Sequence, residues 1–143
     1  MPLIQEALAA GKSVSFSPMG FSMLPMLRQG IDTVTLSPIS GELRKYDLPL
    51  YRRENGKYIL HRIIRAGETY TCMGDNQLEP ETGLHRDQMI AVVTAFTRGD
   101  RTIPVTNACY RLYCRIWVGM VPVRKLLRKL KNILKRIRNR ILG

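Results

Sequence analysis

Apolar and polar positions follow two different periods in this chain, and the change comes near residue 108. Before that point, short segments alternate with period two and are separated by turn residues such as Asn55-Gly56 and Gly74-Asp75-Asn76, a pattern typical of antiparallel strands. After it, apolar residues recur every three or four positions, which is the period of a helix. The sequence therefore predicts a mainly β domain followed by helices.

The predicted elements of the first part are short. Residues 2–10 are expected to form a helix between Pro2 and Gly11, because proline suits the first turn of a helix and glycine suits its end. Residues 77–88, which contain Pro80 and Gly83, are expected to form a polar loop. The expected strands cover residues 13–16, 33–36, 48–52, 58–64, 70–73, 89–97 and 102–105. Short strands with frequent turns favour a β-rich domain of the small open-barrel kind.

Residues 108–143 are predicted to form a helical appendage, so the expected domains are 1–107 and 108–143. Pro122 breaks the helical pattern into segments of about 108–121 and 123–142. In the second segment Lys and Arg fill one face, and the other face carries an apolar stripe that consists of Leu126, Leu127, Leu130, Ile133, Leu134, Ile137 and Ile141. We therefore expect a basic amphipathic helix.

Charge divides the chain in the same way. The net charge of the 143 residues is +12. Residues 1–100 carry eleven Lys or Arg and eleven Asp or Glu, whereas residues 101–143 carry twelve basic residues and no acidic ones. The hydrophobic content of 45% is that of a folded domain, so the chain is interpreted as a neutral body with a basic appendage.

The basic helix leaves three interpretations open. It could lie on an anionic membrane surface, with Tyr113 and Trp117 nearby as interfacial aromatic residues. It could pack its stripe on the body or on a partner helix. Nucleic acid is the least favoured partner, because phosphate binding does not require Leu or Ile in every turn. The pattern favours an anionic membrane surface through residues 123–142.

Several classes of protein are disfavoured by what the sequence lacks. Its three cysteines form no CxxC pair and no Cys/His cluster, which argues against a disulfide framework and a zinc ribbon. No cofactor or metal motif is present, so none is expected. The N-terminal residues show no secretory pattern, and the longest uncharged apolar run of the appendage, 116–123, is far shorter than the ~20 residues of a membrane span. We expect a cytoplasmic protein that associates peripherally with a membrane.

Three polar residues are candidates for chemistry. Ser22 lies in an irregular apolar segment rich in Pro, Gly and Met, His61 lies within the predicted strand 58–64, and Asp75 follows the strand 70–73. A serine becomes nucleophilic when a base takes its proton, and a rigid histidine can be that base. Equally, all three could be structural: a turn serine, a strand histidine bound to a carbonyl, and a turn-forming aspartate. The residues alone leave both interpretations open.

The segment Gly20-Phe21-Ser22-Met23-Leu24-Pro25-Met26-Leu27 resembles the Gly-x-Ser-Met-x-Pro-x-Leu box of the serine peptidases that include signal peptidases and LexA-type self-cleaving repressors. Further segments that resemble this superfamily follow in its order, at residues 30–34, 45–52, 61–64 and 73–76. The resemblance covers about residues 13–97. It implies a LexA/signal-peptidase-like β fold and hydrolysis of peptide bonds through an acyl-enzyme.

The resemblance also implies roles for individual residues. Ser22 falls on the nucleophile, and His61 falls on the general base, which is lysine in typical bacterial signal peptidases and LexA-like proteins. Histidine at this place is the pattern of the eukaryotic reticulum and archaeal signal peptidases, in which the aspartate matched by Asp75 is the third member. The implied function is a serine endopeptidase acting on a peptide or protein substrate, with no cofactor.

The surroundings of Ser22 are expected to bind the substrate. Backbone N–H groups near Ser22 are expected to bind the oxyanion, and Gly20, Met23 and Pro25 are expected to line the oxyanion and substrate sites. The alternative is a non-catalytic module that binds peptides or membranes on a retained peptidase scaffold.

Overall fold

The computed structural model of the chain describes residues 2–143, which form nine strands and three α-helices, two strands more than the sequence predicts. The helices are α1 (Pro2–Ala9), α2 (Ala108–Gly119) and α3 (Val121–Leu142). The strands are β1 (Val14–Phe16), β2 (Val34–Ser37), β3 (Pro49–Arg52), β4 (Tyr58–Leu60), β5 (Arg62–Ala66), β6 (Tyr70–Met73), β7 (Glu81–Leu84), β8 (Met89–Arg98) and β9 (Arg101–Pro104). The prediction of a β-rich chain with a short N-terminal helix and C-terminal helices is confirmed.

Six strands form the larger antiparallel sheet, in the order β1-β2-β8-β3-β4, with β9 paired to β8. Ten-residue β8 is the central strand, and its alternating burial places Ala91 and Val93 in the core. The hairpin predicted at Asn55-Gly56 joins β3 and β4, and Gly56 adopts a φ of 86°, a left-handed conformation that favours glycine. Since β4 pairs only with β3 in the described sheet, it forms an edge.

The smaller sheet contains β5, β6 and β7, and the chain enters it at His61. His61 is the single residue between β4 and β5, so the prediction of one continuous strand over residues 58–64 is wrong at this position. The predicted loop 77–88 also differs from the structure, because β7 and a short 3-10 helix (Arg86–Gln88) lie within it.

Helix α2 packs into the same core as the larger sheet. Its Tyr110 and Cys114 are buried there, beside Phe96 of β8 and Met26 of the segment that follows β1. The predicted boundary between residues 107 and 108 therefore falls inside one packed unit. Met1, included in the predicted first domain, lies outside the described residues.

Helix α3 differs from α2 because it has no buried residue. Pro122 lies in its first turn, where the missing N–H costs no helical hydrogen bond. Among residues 2–143, none of the helices combines the length and the apolar character that crossing a membrane requires.

Candidate active site

Ser22 lies in a turn over residues 22–26, within the irregular segment between β1 and β2. The segment needs glycine at position 20, where φ is 90°. Its far end is closed by Asp32, a fully buried carboxylate that accepts hydrogen bonds from the backbone and the guanidinium of Arg28 at 2.9 to 3.0 Å. The hydrogen bonds from Arg28 lower the pKa of Asp32. An ion pair between buried Asp32 and partly exposed Arg28 therefore fixes the loop that carries Ser22.

The Gly74-Asp75-Asn76 turn supports Ser22 from behind. The Asn76 N–H donates to the Ser22 carbonyl oxygen at 2.8 Å. A Cβ atom added at Gly74 would lie 2.5 Å from that oxygen and 3.1 Å from the Ser22 Cβ, so only glycine allows this approach. Two of the segments that carry the family resemblance are thus in direct backbone contact.

Ser22 and His61 line the same small cavity, although they lie on separate elements of the fold. The cavity has a volume of about 90 Å³. Its remaining lining comes from the loop after β1 and from edge strand β4, and consists of Pro18, Met19, Gly20, Met23, Leu27, Arg28, Tyr58, Ile59 and Leu60. The lining combines apolar side chains with polar groups, and Ser22, His61 and Arg28 are among the polar groups that a bound molecule would meet.

A chain of hydrogen bonds determines the tautomer of His61. Its Nδ1 lies 3.4 Å from the Tyr51 hydroxyl oxygen, and that hydroxyl donates its proton to Glu81 Oε1 at 3.0 Å. Arg53 holds the Glu81 carboxylate at 2.8 and 3.0 Å. The hydroxyl hydrogen of Tyr51 is used in the bond to Glu81. The hydrogen between Tyr51 and His61 must therefore be on Nδ1 of His61. The lone pair of the neutral ring is then on Nε2.

The surroundings of His61 keep its ring neutral. Burial and the nearby charge of Arg53 lower the pKa of His61 to about 4, against the opposing effects of Glu81 and Asp75. Burial also raises the pKa of Tyr51, so the tyrosine keeps its proton. At neutral pH the imidazole is therefore uncharged.

Within residues 2–143, Asp75 makes no hydrogen bond or ion pair with His61. Its carboxylate is bound by Arg62, the next residue in the chain after His61, through two hydrogen bonds of 2.9 and 3.0 Å, and by the Tyr113 hydroxyl at 2.7 Å. Arg62 also donates to the Tyr110 hydroxyl at 2.7 Å. The contact implied by the resemblance is thus absent from the described structure, because Arg62 and Tyr113 occupy the carboxylate that would orient the imidazole.

The C-terminal helices hold the backbone of the same turn. The Asp75 carbonyl oxygen accepts hydrogen bonds from Trp117 Nε1 at 2.7 Å and from Arg124 at 3.0 Å. The Arg124 guanidinium lies over the Trp117 ring, 4.4 Å from its centre. Helices α2 and α3 therefore support the Gly74-Asp75-Asn76 turn, and this turn supports Ser22.

The three residues expected around Ser22 have different positions. Gly20 and Met23 line the cavity, but the Gly20 N–H donates to Gln29 Oε1 at 3.1 Å and Met23 packs mainly in the core. Pro25 lies outside the cavity, and its carbonyl accepts a hydrogen bond from Arg98 at 3.0 Å. The Ser22 N–H makes no backbone hydrogen bond within residues 2–143. The Gly20 N–H is already used in its bond to Gln29, whereas the Ser22 N–H can bind an oxyanion.

Sequence reasoning missed Tyr51 and Glu81. Tyr51 lies in the segment 45–52 that contributes to the resemblance, but nothing in that segment marks its hydroxyl as a partner of His61. Glu81 lies in β7, which has too few apolar residues to be predicted as a strand. The other histidine, His85, is exposed.

The arrangement can support acyl transfer: a serine hydroxyl and a neutral imidazole line one cavity, with the Ser22 backbone N–H beside them. Within residues 2–143, no group of three or more His, Cys, Asp or Glu side chains is arranged to hold a metal ion. The chain matches no protein-family model, no curated protein and no solved structure in the comparisons made with each.

Proposed function

We propose that this protein is a serine endopeptidase with a fold like that of signal peptidases and LexA, in which Ser22 is the nucleophile and His61 is the general base. The observation that carries the proposal is the cavity shared by Ser22 and His61, together with the hydrogen-bond chain that leaves Nε2 of His61 unprotonated. Activation of a serine needs a base of this kind near the hydroxyl.

The proposed reaction follows from these groups. Nε2 of His61 takes the Ser22 proton while the Ser22 oxygen attacks the carbonyl carbon of the scissile bond. The Ser22 N–H stabilises the resulting oxyanion. The imidazolium then gives its proton to the leaving amine, and the C–N bond breaks to leave an acyl-enzyme. A water molecule, deprotonated by His61, hydrolyses the ester and restores Ser22.

In this proposal the Tyr51–Glu81 pair has the role that the resemblance gave to Asp75. The Tyr51 hydroxyl oxygen accepts a hydrogen bond from Nδ1–H and so keeps the imidazole in the required tautomer. Glu81 fixes the Tyr51 hydroxyl and places a negative charge near the imidazolium that forms during the reaction. Both act through His61, so we describe them as positioning residues.

Edge strand β4 supports an extended peptide as the substrate. Tyr58, Ile59 and Leu60 form this strand and also line the cavity. A peptide that pairs with the free side of β4 would pass directly beside Ser22, as peptides do when they add a strand to an exposed sheet edge. The apolar lining from Met19 and Leu27 favours a substrate with an apolar side chain near the cut bond.

A non-catalytic peptide-binding module is the second candidate. The observation that favours it is that the Ser22 hydroxyl and the His61 ring share no hydrogen bond in the described chain, where the ring is bound to Tyr51. Such bonds are often long in empty active sites and tighten when substrate binds. The two candidates therefore differ in whether Ser22 is needed for cleavage or only for binding.

Incubation with a diverse peptide library, followed by mass spectrometry of the products, tests the proposal. The variants are Ser22→Ala and His61→Gln, with the exposed residues Ser40 and His85 giving the matched controls Ser40→Ala and His85→Gln. We expect cleavage by the wild type and both controls, and a loss of about 10²–10⁴-fold in His61→Gln. Cleavage retained in Ser22→Ala contradicts the proposal. Peptides that bind to the protein but are not cut would support the non-catalytic peptide-binding module instead.

A further inference from the structure

The apolar stripe of α3 is exposed along the whole helix. Seven large apolar side chains of this helix are between 40% and 76% exposed: Leu126, Leu127, Leu130, Ile133, Leu134, Ile137 and Ile141. Monomeric proteins rarely expose a continuous apolar surface of this kind without a partner for it. The stripe is therefore a surface whose occupant needs to be identified.

The body does not provide that occupant. Successive residues of a helix are rotated by about 100°, which places the seven side chains within an arc of about 120°. Arg124 binds the Asp75 carbonyl at 3.0 Å and Arg128 pairs with Glu79 at 2.8 Å. Both arginines lie about 120° or more from the centre of the stripe. Because α3 is attached through its polar face, its apolar face points away from the body.

The charge of α3 is complementary to an anionic surface. The helix carries nine Lys or Arg and no Asp or Glu. Lys131 and Arg138 border the stripe on one side, and Lys129 and Arg140 border it on the other. Apolar side chains between two rows of cations are typical of helices that lie in the interface of a membrane with anionic lipids.

Other occupants fit this helix less well. A second copy packed stripe to stripe would bring nine cations against nine, with no acidic residue on either helix to pair with them. A nucleic acid would neutralise the cations but leave the apolar stripe in water. An anionic lipid surface satisfies both faces of the helix at once.

We propose that α3 is a docking surface for an anionic lipid membrane, on which the helix lies parallel to the surface with its stripe among the acyl chains. The aromatic residues expected to help, Tyr113 and Trp117, are not part of this surface, because they are half-buried and bind Asp75. Through Arg124, the docked helix would hold the turn behind Ser22 close to the lipid. The docking itself does not depend on the proposed peptidase activity.

Co-sedimentation of the full chain with vesicles tests the inference. The vesicles are phosphatidylcholine alone, or phosphatidylcholine with about a third of phosphatidylserine, each at low and high NaCl. The stripe variant is Leu130→Gln/Leu134→Gln/Ile137→Gln, and its control on the opposite face is Asn132→Gln/Asn139→Gln. We expect salt-sensitive binding to the anionic vesicles, weakened more than about tenfold in the stripe variant and unchanged in the control.

Three results would overturn the proposal. The first is that the stripe variant binds anionic vesicles as strongly as the wild type does. Another is a dimer, measured by light scattering, that the stripe variant converts to monomers while vesicles bind neither form. The last is binding to duplex DNA without binding to vesicles. Repeating the measurement with Ser22→Ala separates docking from catalysis, since we expect this variant to bind vesicles as the wild type does.

Discussion

Asp75 is paired with Arg62, the residue that follows His61, and not with His61 itself. The two side chains are 2% and 0% exposed and are joined at 2.9 Å. Arg62 is further held by groups of α2, and the Asp75 backbone is held by Trp117 and Arg124. The Gly-Asp-Asn turn is therefore fastened to the C-terminal helices on one side and to the Ser22 loop on the other.

Asp75→Ala is expected to destabilise the fold. The substitution leaves the Arg62 guanidinium charged and buried without its carboxylate, which costs about 3–5 kcal/mol of the free energy of unfolding. Urea denaturation followed by circular dichroism measures this change, with the exposed residue Asp87 giving the control Asp87→Ala. A variant as stable as the wild type but lacking activity would instead assign Asp75 a catalytic role.

Gly74→Ala is expected to disturb Ser22. The added methyl group would lie 2.5 Å from the Ser22 carbonyl oxygen, so the turn or the serine must move. Overpacking of this kind costs about 1–3 kcal/mol of the free energy of unfolding. Gly67→Ala is the matched control, because its Cβ would lie 3.9 Å from the nearest atom. Equal stability and equal cleavage rates for the two variants would contradict the described contact.

Tyr51→Phe is expected to slow cleavage without weakening substrate binding. The variant removes the acceptor for Nδ1–H, and the loss of one hydrogen bond to a charged imidazolium corresponds to a fall of about 10- to 100-fold in kcat. Tyr70→Phe alters another buried tyrosine and serves as the control. Steady-state kinetics on a cleaved peptide provide the test. An unchanged kcat would show that Tyr51 does not position His61 for catalysis.

The pH dependence of cleavage follows from the pKa of His61, which burial and Arg53 lower to about 4. The base is the unprotonated ring, so kcat/KM should rise with pH through about 4 and be level at neutral pH. Arg53→Gln removes one of the effects that lower the pKa of His61. The midpoint of the pH profile should therefore move upward, toward the ordinary histidine pKa of about 6.5. A wild-type midpoint at or above 6.5 would show that the ring is not buried as described.

Much of the fold could be predicted because local patterns determine it. The stripe of α3 repeats without interruption along a helix of 22 residues, and Asn55-Gly56 marks the hairpin between β3 and β4. The break at His61 could not be predicted, because apolar residues flank His61 and Arg62 on both sides and the pattern does not show where a strand changes sheets. Strand β7 was missed because Glu81, Thr82 and Gly83 resemble a loop.

The candidate site could be predicted only in part. The local segments around Ser22 and His61 place both residues, and the structure brings them to one cavity. The partners of His61 and Asp75 are set by packing between distant elements. Tyr113 and Trp117 of α2 help to fix Asp75, and Glu81 of β7 fixes Tyr51. No spacing along the chain shows which of these contacts form.

The most direct test of the account is the site at which a fluorophosphonate probe modifies the protein, measured by intact mass and peptide mapping. It needs no known substrate and measures activation of the serine itself. We predict one adduct, on Ser22, that forms in the wild type and in the His85→Gln control and is lost in His61→Gln. No adduct on Ser22, or an adduct that forms equally fast without His61, would contradict it.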